Sequence, residues 1–500
     1  MSTLVSSPPP VIERRPEPPR GLREKNFRKI CENGFGDGWN GYAYSMAWFK
    51  GRIYAGTSRA NLCLLKFAMP FVRMDTWPVE CPYPNYSPEF ESGPARGEIW
   101  RHDPLGVGFT RVFQSPMTTG ADGTEYSRDL GYRAMVEFQG KSDRSPALYV
   151  ATWSRSRGDG PDFLRTEDGE HFETLPKLRF QTQGREITFN AIRSLIVFKG
   201  RLYTAPTGAT GGNVNAAGVS LIYGTDDPTT GEWFCVNDPG FGDFPDVATV
   251  YDMAVLGDYL YAGTGGLAGF QIWRTKAEGS PPYQWEKVLD GGAGRGSLNQ
   301  GAVSMHAFRG ALYIGTGIQN GGYDWRYNIG PAAAEIVRLN ADGSWDIIVG
   351  NARHGKTPLS GMGAGFSNFF AGYLWRMGIH DGWLYAGTMD WSVILRFTDL
   401  KKKPLRASRI LAAVGVDQFL ESFGGFDLWR TYDGENWLPV TRRGFGNPYN
   451  FGCRNIISTP HGLFIGTANP FGPRVAEKGK DGEVTYRDNP QGGLEVWQGI

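Results

Sequence analysis

Apolar residues along the chain come in short bursts that alternate with polar ones and stop at Gly, Asp or Asn, the pattern of half-buried β-strands. One burst keeps returning: Ile53-Tyr54-Ala55-Gly56-Thr57, Leu260-Tyr261-Ala262-Gly263-Thr264, Leu312-Tyr313-Ile314-Gly315-Thr316, Leu384-Tyr385-Ala386-Gly387-Thr388 and Leu463-Phe464-Ile465-Gly466-Thr467. Degenerate copies stand at Leu148-Tyr149-Val150-Ala151-Thr152 and Leu202-Tyr203-Thr204. Each is preceded by an apolar run ending in a tight turn, as in Met46 to Gly51. Each is followed by a third run, typified by Ile99-Trp100-Arg101 or Leu428-Trp429-Arg430, and a fourth such as Trp437-Leu438-Pro439-Val440. Seven copies, about 52 to 95 residues apart, mark stacked units that cannot bury their apolar faces alone.

Four strands per unit, here A to D, repeated seven times, predict an all-β chain folded as a seven-bladed β-propeller. The ends predict how it closes. Asn26 to Gly36 aligns without a gap on Asn436 to Gly446, so the N-terminus carries a strand D, while the C-terminus stops after a strand C at Glu495-Val496-Trp497. The strand beginning at Phe27 is therefore expected to complete the last blade and leave no open edge. The domain reading is a disordered Pro-rich tail over 1–23 and one propeller over 24–500.

Composition narrows the function classes. Seventy glycines fit turn-dense β structure, and 52 Lys plus Arg against 51 Asp plus Glu leave no footprint for nucleic acid or an anionic membrane. The one basic cluster, Lys401-Lys402-Lys403, reads as a solvated loop. No apolar stretch approaches membrane-spanning length, and the tail lacks the apolar core of a secretory signal. Five cysteines (Cys31, Cys63, Cys81, Cys235, Cys453), odd in number and without a C-x-x-C pair, predict reduced thiols and a cytoplasmic location.

What repeats belongs to the fold, and what departs from the repeat is available for chemistry. The A-to-B turns are minimal, but the B-to-C connections carry insertions at Ser58 to Arg96, Gly317 to Ala333, Met389 to Gly425 and Ala468 to Gly492, all expected on one face. Within the third, an amphipathic helix is predicted from Pro404 to Glu421, with Ile410, Leu411 and Val414 on its apolar stripe. The same face receives the start of every strand A. Aligned there, one position reads Tyr44, Arg133, Arg193, Tyr251, Val303, Trp375 and Arg454, and the next reads Ser45, Ala134, Ser194, Asp252, Ser304, Arg376 and Asn455. Guanidinium forks bind carboxylate, phosphate or halide-like leaving groups, and aromatic faces bind cations or planar substrates.

Arg133, Arg193, Arg454, Tyr44, Tyr251 and Asp252 are thus the candidate catalytic residues. Trp375, Arg376, Asp390, Trp391 and Trp325 are the candidate substrate contacts. The alternative for the arginines is ion pairing with buried carboxylates such as Asp252. Six scattered histidines show no metal spacing, no G-x-S-x-G elbow or phosphate loop is present, and His306 reads as a packed strand residue. No cofactor is evident. Calcium at Asp238, Asp243 and Asp246 is chemically conceivable, although that loop copies the repeated Gly-Phe-Gly connection.

The Leu-Tyr-x-Gly-Thr phrase and Trp429-Arg430-Thr431-Tyr432-Asp433-Gly434 resemble a broad bacterial group of seven-bladed propellers with degenerate repeats, over roughly residues 24 to 500. The overall plan also resembles the cyanobacterial alkylating propellers that build cylindrocyclophanes. Those enzymes join an alkyl chloride to a resorcinol ring with an arginine and a tyrosine near the propeller mouth. No motif of theirs matches residue by residue, and their calcium-binding repeats are missing here. The resemblance implies a small-molecule enzyme of transferase type. The competing class is a non-catalytic scaffold that offers the same rim to a protein or carbohydrate, with a broad exposed patch instead of an enclosed pocket.

Overall fold

A computed structural model describes residues 19–68, 74–120, 122–154, 158–182, 185–208, 220–243, 249–324, 327–400, 406–479 and 482–500. Trp325, Asp246, Lys401 to Lys403, Pro404 and most of the predicted tail lie outside them. The chain is mostly β, with a large antiparallel sheet as its main element. Its inner strands are Asn40–Phe49, Asp129–Phe138, Ala191–Phe198, Thr249–Leu256, Gly301–Phe308, Ala371–His380 and Gly452–Thr459, each in a hairpin with the strand that follows. Lys50-Gly51, Lys199-Gly200, Arg309-Gly310 and Asp381-Gly382 turn these hairpins with two successive positive φ angles, the backbone a two-residue hairpin loop needs.

The repeated phrase has a physical reason at its key positions. Its glycine is where the next inner strand packs: a Cβ on Gly56 would lie 2.6 Å from the Tyr132 Cβ, and one on Gly387 2.3 Å from the Cys453 Sγ. Its threonine closes strand B onto strand C. Thr57, Thr316, Thr388 and Thr467 accept the N–H of Glu98, Glu335, Asp427 and Glu495 at 2.8–3.0 Å. The carboxylates of Glu98 and Glu495 then accept the indole N–H of Trp100 and Trp497. Each of these indoles stacks on a phenylalanine of the Gly-Phe-Gly loop, Phe35 on Trp100 at 4.8 Å and Phe445 on Trp497 at 4.5 Å. Phe35 and Phe445 sit at φ 58° and 56°, an unfavourable backbone for a bulky residue that stacking offsets.

Phe27–Lys29 lies antiparallel to Val496–Gly499, with Phe27 opposite Gly499 and Lys29 opposite Trp497. Two residues of the expected tail make contacts with the sheet. Pro19 accepts the Trp383 indole N–H, and the Leu22 N–H donates to the Tyr385 hydroxyl, so the chain is already held there.

The insertions fold into small elements. Ser58 to Arg96 contains the helices Asn61–Ala68 and Pro88–Ser92, and Ala468 to Gly492 contains the hairpin Arg474–Lys478 with Val484–Asp488. The two join through a bridge between Val79 and Val475 and a bond from the Ala476 N–H to the Pro78 carbonyl. Further hairpins, Met117–Thr119 with Glu125–Ser127 and Phe180–Thr182 with Arg185–Ile187, stand in D-to-A connections where no insertion was expected.

Two expectations are corrected. The single helix reaching Glu421 is two, Arg406–Val414 and Val416–Phe423, because Gly415 at φ 95° breaks the run; Ile410 and Val414 are exposed rather than packed. Cys63 and Cys81 are not reduced thiols but a disulfide, with Cα atoms 5.7 Å apart, tying the first insertion's helix to the segment that meets Val475. Among the described residues no helix is long and apolar enough to cross a membrane.

Candidate functional site

Every inner strand carries a register shift near its start, and the residue skipped is in each case the one the repeat aligns: Tyr44, Arg133, Arg193, Tyr251, Val303, Trp375 and Arg454. A bulge inserts one unpaired residue and re-aims its side chain. Here it singles out the variable position seven times, and three of the strands carry a second shift just upstream, at Gly41, Leu130 and Gly372.

The residue after the bulge has a different task. Ser45 and Ser304 donate to the carbonyls of Tyr132 and Leu374, Asn455 to that of Ala43, and the Arg376 Nε to that of Arg454 at 3.4 Å. Asp252 accepts the Met305 N–H at 2.9 Å. Each bond runs from one inner strand to the next. The structure therefore gives Asp252 and Arg376 a stitching role, and Asp252 forms no ion pair with a described arginine. Burial pushes its carboxyl up, with the Arg376 charge opposing.

The bulge residues cluster. Arg454 and Arg133 both face the Tyr44 ring, their central carbons 5.0 and 5.6 Å from its centre, and Arg454 also lies 5.4 Å from the Trp375 ring. Arg193 sits 4.2 Å from the Tyr251 ring and donates to the Tyr251 carbonyl, while Arg133 donates to the Thr207 hydroxyl at 3.1 Å. Arg454 is 6% exposed, and its Nε has no hydrogen-bond partner among the described residues. The charges acting on it are the like charges of Arg376, Arg133 and Arg193 and the phenol of Tyr44. Burial and those cations push its guanidinium down to about 9, and burial with Arg133 pushes Arg193 down to about 10.

An aromatic wall adjoins this cationic group, and most of it escaped the sequence reading. Trp375 touches Tyr42 at 6.0 Å, Tyr373 at 5.7 Å and Phe451 at 5.9 Å between ring centres. Tyr42 and Tyr373 stand two residues before their bulges, where the other inner strands have Gly131, Ala191, Thr249, Gly301 and Gly452. Two bulky rings among small residues at one aligned position is the signal that would have found them. Gly452 has its own reason: a Cβ there would lie 2.2 Å from the Trp375 ring. Burial pushes the Tyr42, Tyr251 and Tyr373 phenols up, so they stay neutral.

Asp390 and Trp391 lie one strand outward. Asp390 is buried, accepts from the Ser392 N–H and the Asn368 amide at 2.8 Å each, and is pushed up to about 6 by burial. Its N–H donates to the Phe451 carbonyl, tying it to the wall. Burial and the nearby Asp390 charge push Asp427 up to about 7. Trp391 packs on Phe370, with ring centres 4.7 Å apart. His306, half-buried near Arg376, is pushed down to about 4 and is neutral at pH 7. Asp243 takes the Lys287 ammonium at 2.8 Å and the Gln271 amide at 2.9 Å, so a protein cation already neutralises it. Among the described residues no three His, Cys, Asp or Glu side chains converge as metal ligands.

The chain matches no protein-family profile and no curated protein. Among solved structures it is similar to virginiamycin B lyase from Staphylococcus aureus, at 9% identity and a TM-score of 0.43, over 95% of this chain and 100% of that one. A puromycin-hydrolyzing peptidase from Mycobacterium tuberculosis gives 11% identity and a TM-score of 0.42, over 92% of this chain and 55% of that one. An α-L-arabinanase from Penicillium chrysogenum gives 10% identity and a TM-score of 0.38, over 74% and 94%.

Proposed function

We propose that the chain is a seven-bladed propeller, closed by its N-terminal strand, and an enzyme that holds a small organic anion at the axial mouth. Closure is supported by the pairing of Phe27–Lys29 with Val496–Gly499 and by the bond from Asn455, on the last inner strand, to Ala43 on the first. The functional reading rests on Arg454. A buried charge is costly unless it is paired, and this one is surrounded by further guanidiniums and aromatic rings. No described carboxylate supplies its counter-charge, and an anionic ligand would do so.

Arg133, Arg193 and Arg454 then orient the anion, or receive one that departs during reaction, and Tyr44 and Tyr251 contribute hydroxyl donors. Departure of a halide or comparable anion suits this set, which is the transferase chemistry that the resemblance to bacterial alkylating propellers implies. A cytoplasmic setting remains the compositional reading, and the Cys63–Cys81 disulfide weighs against it.

The test is calorimetric titration of the full chain with small carboxylates, phosphate and halides, repeated on Arg454→Met. The expected result is anion binding that weakens at least about tenfold in the variant, corresponding to about 1.4 kcal/mol. If no anion binds the unaltered protein, the reading falls and the non-catalytic protein- or carbohydrate-binding scaffold takes its place.

A further inference from the structure

The mouth is lopsided. Its arginines stand on the inner strands that start at Asp129, Ala191 and Gly452, around Tyr44, whereas the strand starting at Gly301 contributes only Val303. Beside Arg454 rises the wall of Tyr42, Tyr373, Trp375 and Phe451. All four rings are half-buried, and Trp375 sits at their centre with the Arg454 guanidinium 5.4 Å from its own ring. The ring contacts of Trp375 are edge-on, at 68° to 90°, so the rings do not stack flat on one another. The exposed part of such half-buried rings favours a further ring, edge-on or offset, over an aliphatic group of the same size. Gly452 holds this arrangement, because any side chain there would displace the Trp375 ring.

We infer that the ligand of this mouth is an aryl-bearing anion, its charged group on Arg454 and its ring against Trp375, with Trp375 the residue that selects the ring. This rests on the anion-binding reading above and adds the body of the ligand to its charge. The neutral phenols of Tyr42 and Tyr373 fit the same assignment, since they line the wall without adding a negative charge that would repel the anion.

The experiment titrates the full chain with benzoate, acetate, cyclohexanecarboxylate, phenyl phosphate and inorganic phosphate, then repeats the carboxylates with Trp375→Leu and Tyr373→Leu. The expected result is benzoate binding about tenfold tighter than acetate and measurably tighter than cyclohexanecarboxylate, as one aromatic contact provides. Trp375→Leu should reduce the benzoate preference to about threefold or less and leave acetate affinity within about twofold. Phenyl phosphate against benzoate shows which anionic head the arginines take. Equal binding of benzoate and acetate overturns the assignment while the anion reading stands, as does a benzoate preference that survives in Trp375→Leu. Failure of every anion to bind sinks both. Should Trp375→Leu not fold, Tyr373→Leu and the ratio of affinities in the unaltered protein decide.

Discussion

Arg454 lies over Tyr44, its central guanidinium carbon 5.0 Å from the ring centre, and no described carboxylate balances it. A cation–π contact of this kind is worth about 2 kcal/mol when desolvated, less than the several kcal/mol that burying an unpaired charge costs. Arg454→Met is therefore expected to leave stability unchanged or to raise it, with urea midpoints as the measurement. A loss of about 3–5 kcal/mol, the signature of a broken buried ion pair, would show that the arginine is structural.

The Asp390 and Asp427 carboxyls give the stability curve a slope at mild pH. Both have folded values above the unfolded ones, near 6 and 7 against 3.8. The folded state thus binds more protons between those limits, and stability falls as pH rises from about 4 through about 7. Holding the Asp390 carboxyl near 6 rather than 3.8 corresponds to about 3 kcal/mol. Thermal melts across this window should show the decline, and Asp390→Asn should flatten it by removing one charge and easing the ionisation of the other. An identical slope in the variant places its origin elsewhere.

The clasp between strands B and C can be opened by one nearly isosteric change. Thr57→Val keeps the shape but deprives the buried Glu98 N–H of its acceptor at 3.0 Å. The expected cost is about 1–3 kcal/mol, read from denaturant unfolding. A neutral result would mean that another acceptor takes over.

The Cys63–Cys81 bond closes a sequence separation of 18 residues within the first insertion. Restricting a loop of that length is worth about 3 kcal/mol in the chain-entropy picture. Dithiothreitol should lower the melting temperature of the unaltered protein but not of the Cys63→Ser, Cys81→Ser double variant. Mass spectrometry without reductant should show the cross-link, and two free thiols at those positions would remove this prediction.

The repeated parts of the fold are legible because each solves the same local problem. Gly56 and Thr57 recur in kind in five of the seven hairpins, and Trp100 recurs as Trp273, Trp429 and Trp497, where an inner strand packs on its neighbour and a third strand is clasped beneath it. The variable position is legible by subtraction, and the bulge that makes it variable follows from register. Tyr42 and Tyr373 escape because they sit two residues before the aligned pair of positions, in a column otherwise filled by glycine, alanine and threonine. The split of the long helix is readable at Gly415, since glycine at a positive φ ends helices. The disulfide is not readable: nothing in a spacing of 18 residues brings two cysteines together until the insertion folds against the hairpin at Val475.

Because each bulge residue is an extra one, looped out between paired neighbours, its identity is decoupled from the backbone pairing of its own hairpin. Seven sites of this kind amount to a palette that can be recoloured one position at a time. Saturating Tyr44, Arg133, Arg193, Tyr251, Val303, Trp375 and Arg454 together should yield mostly foldable proteins with altered ligand preferences, a ready starting library for directed evolution of new binders on the same frame.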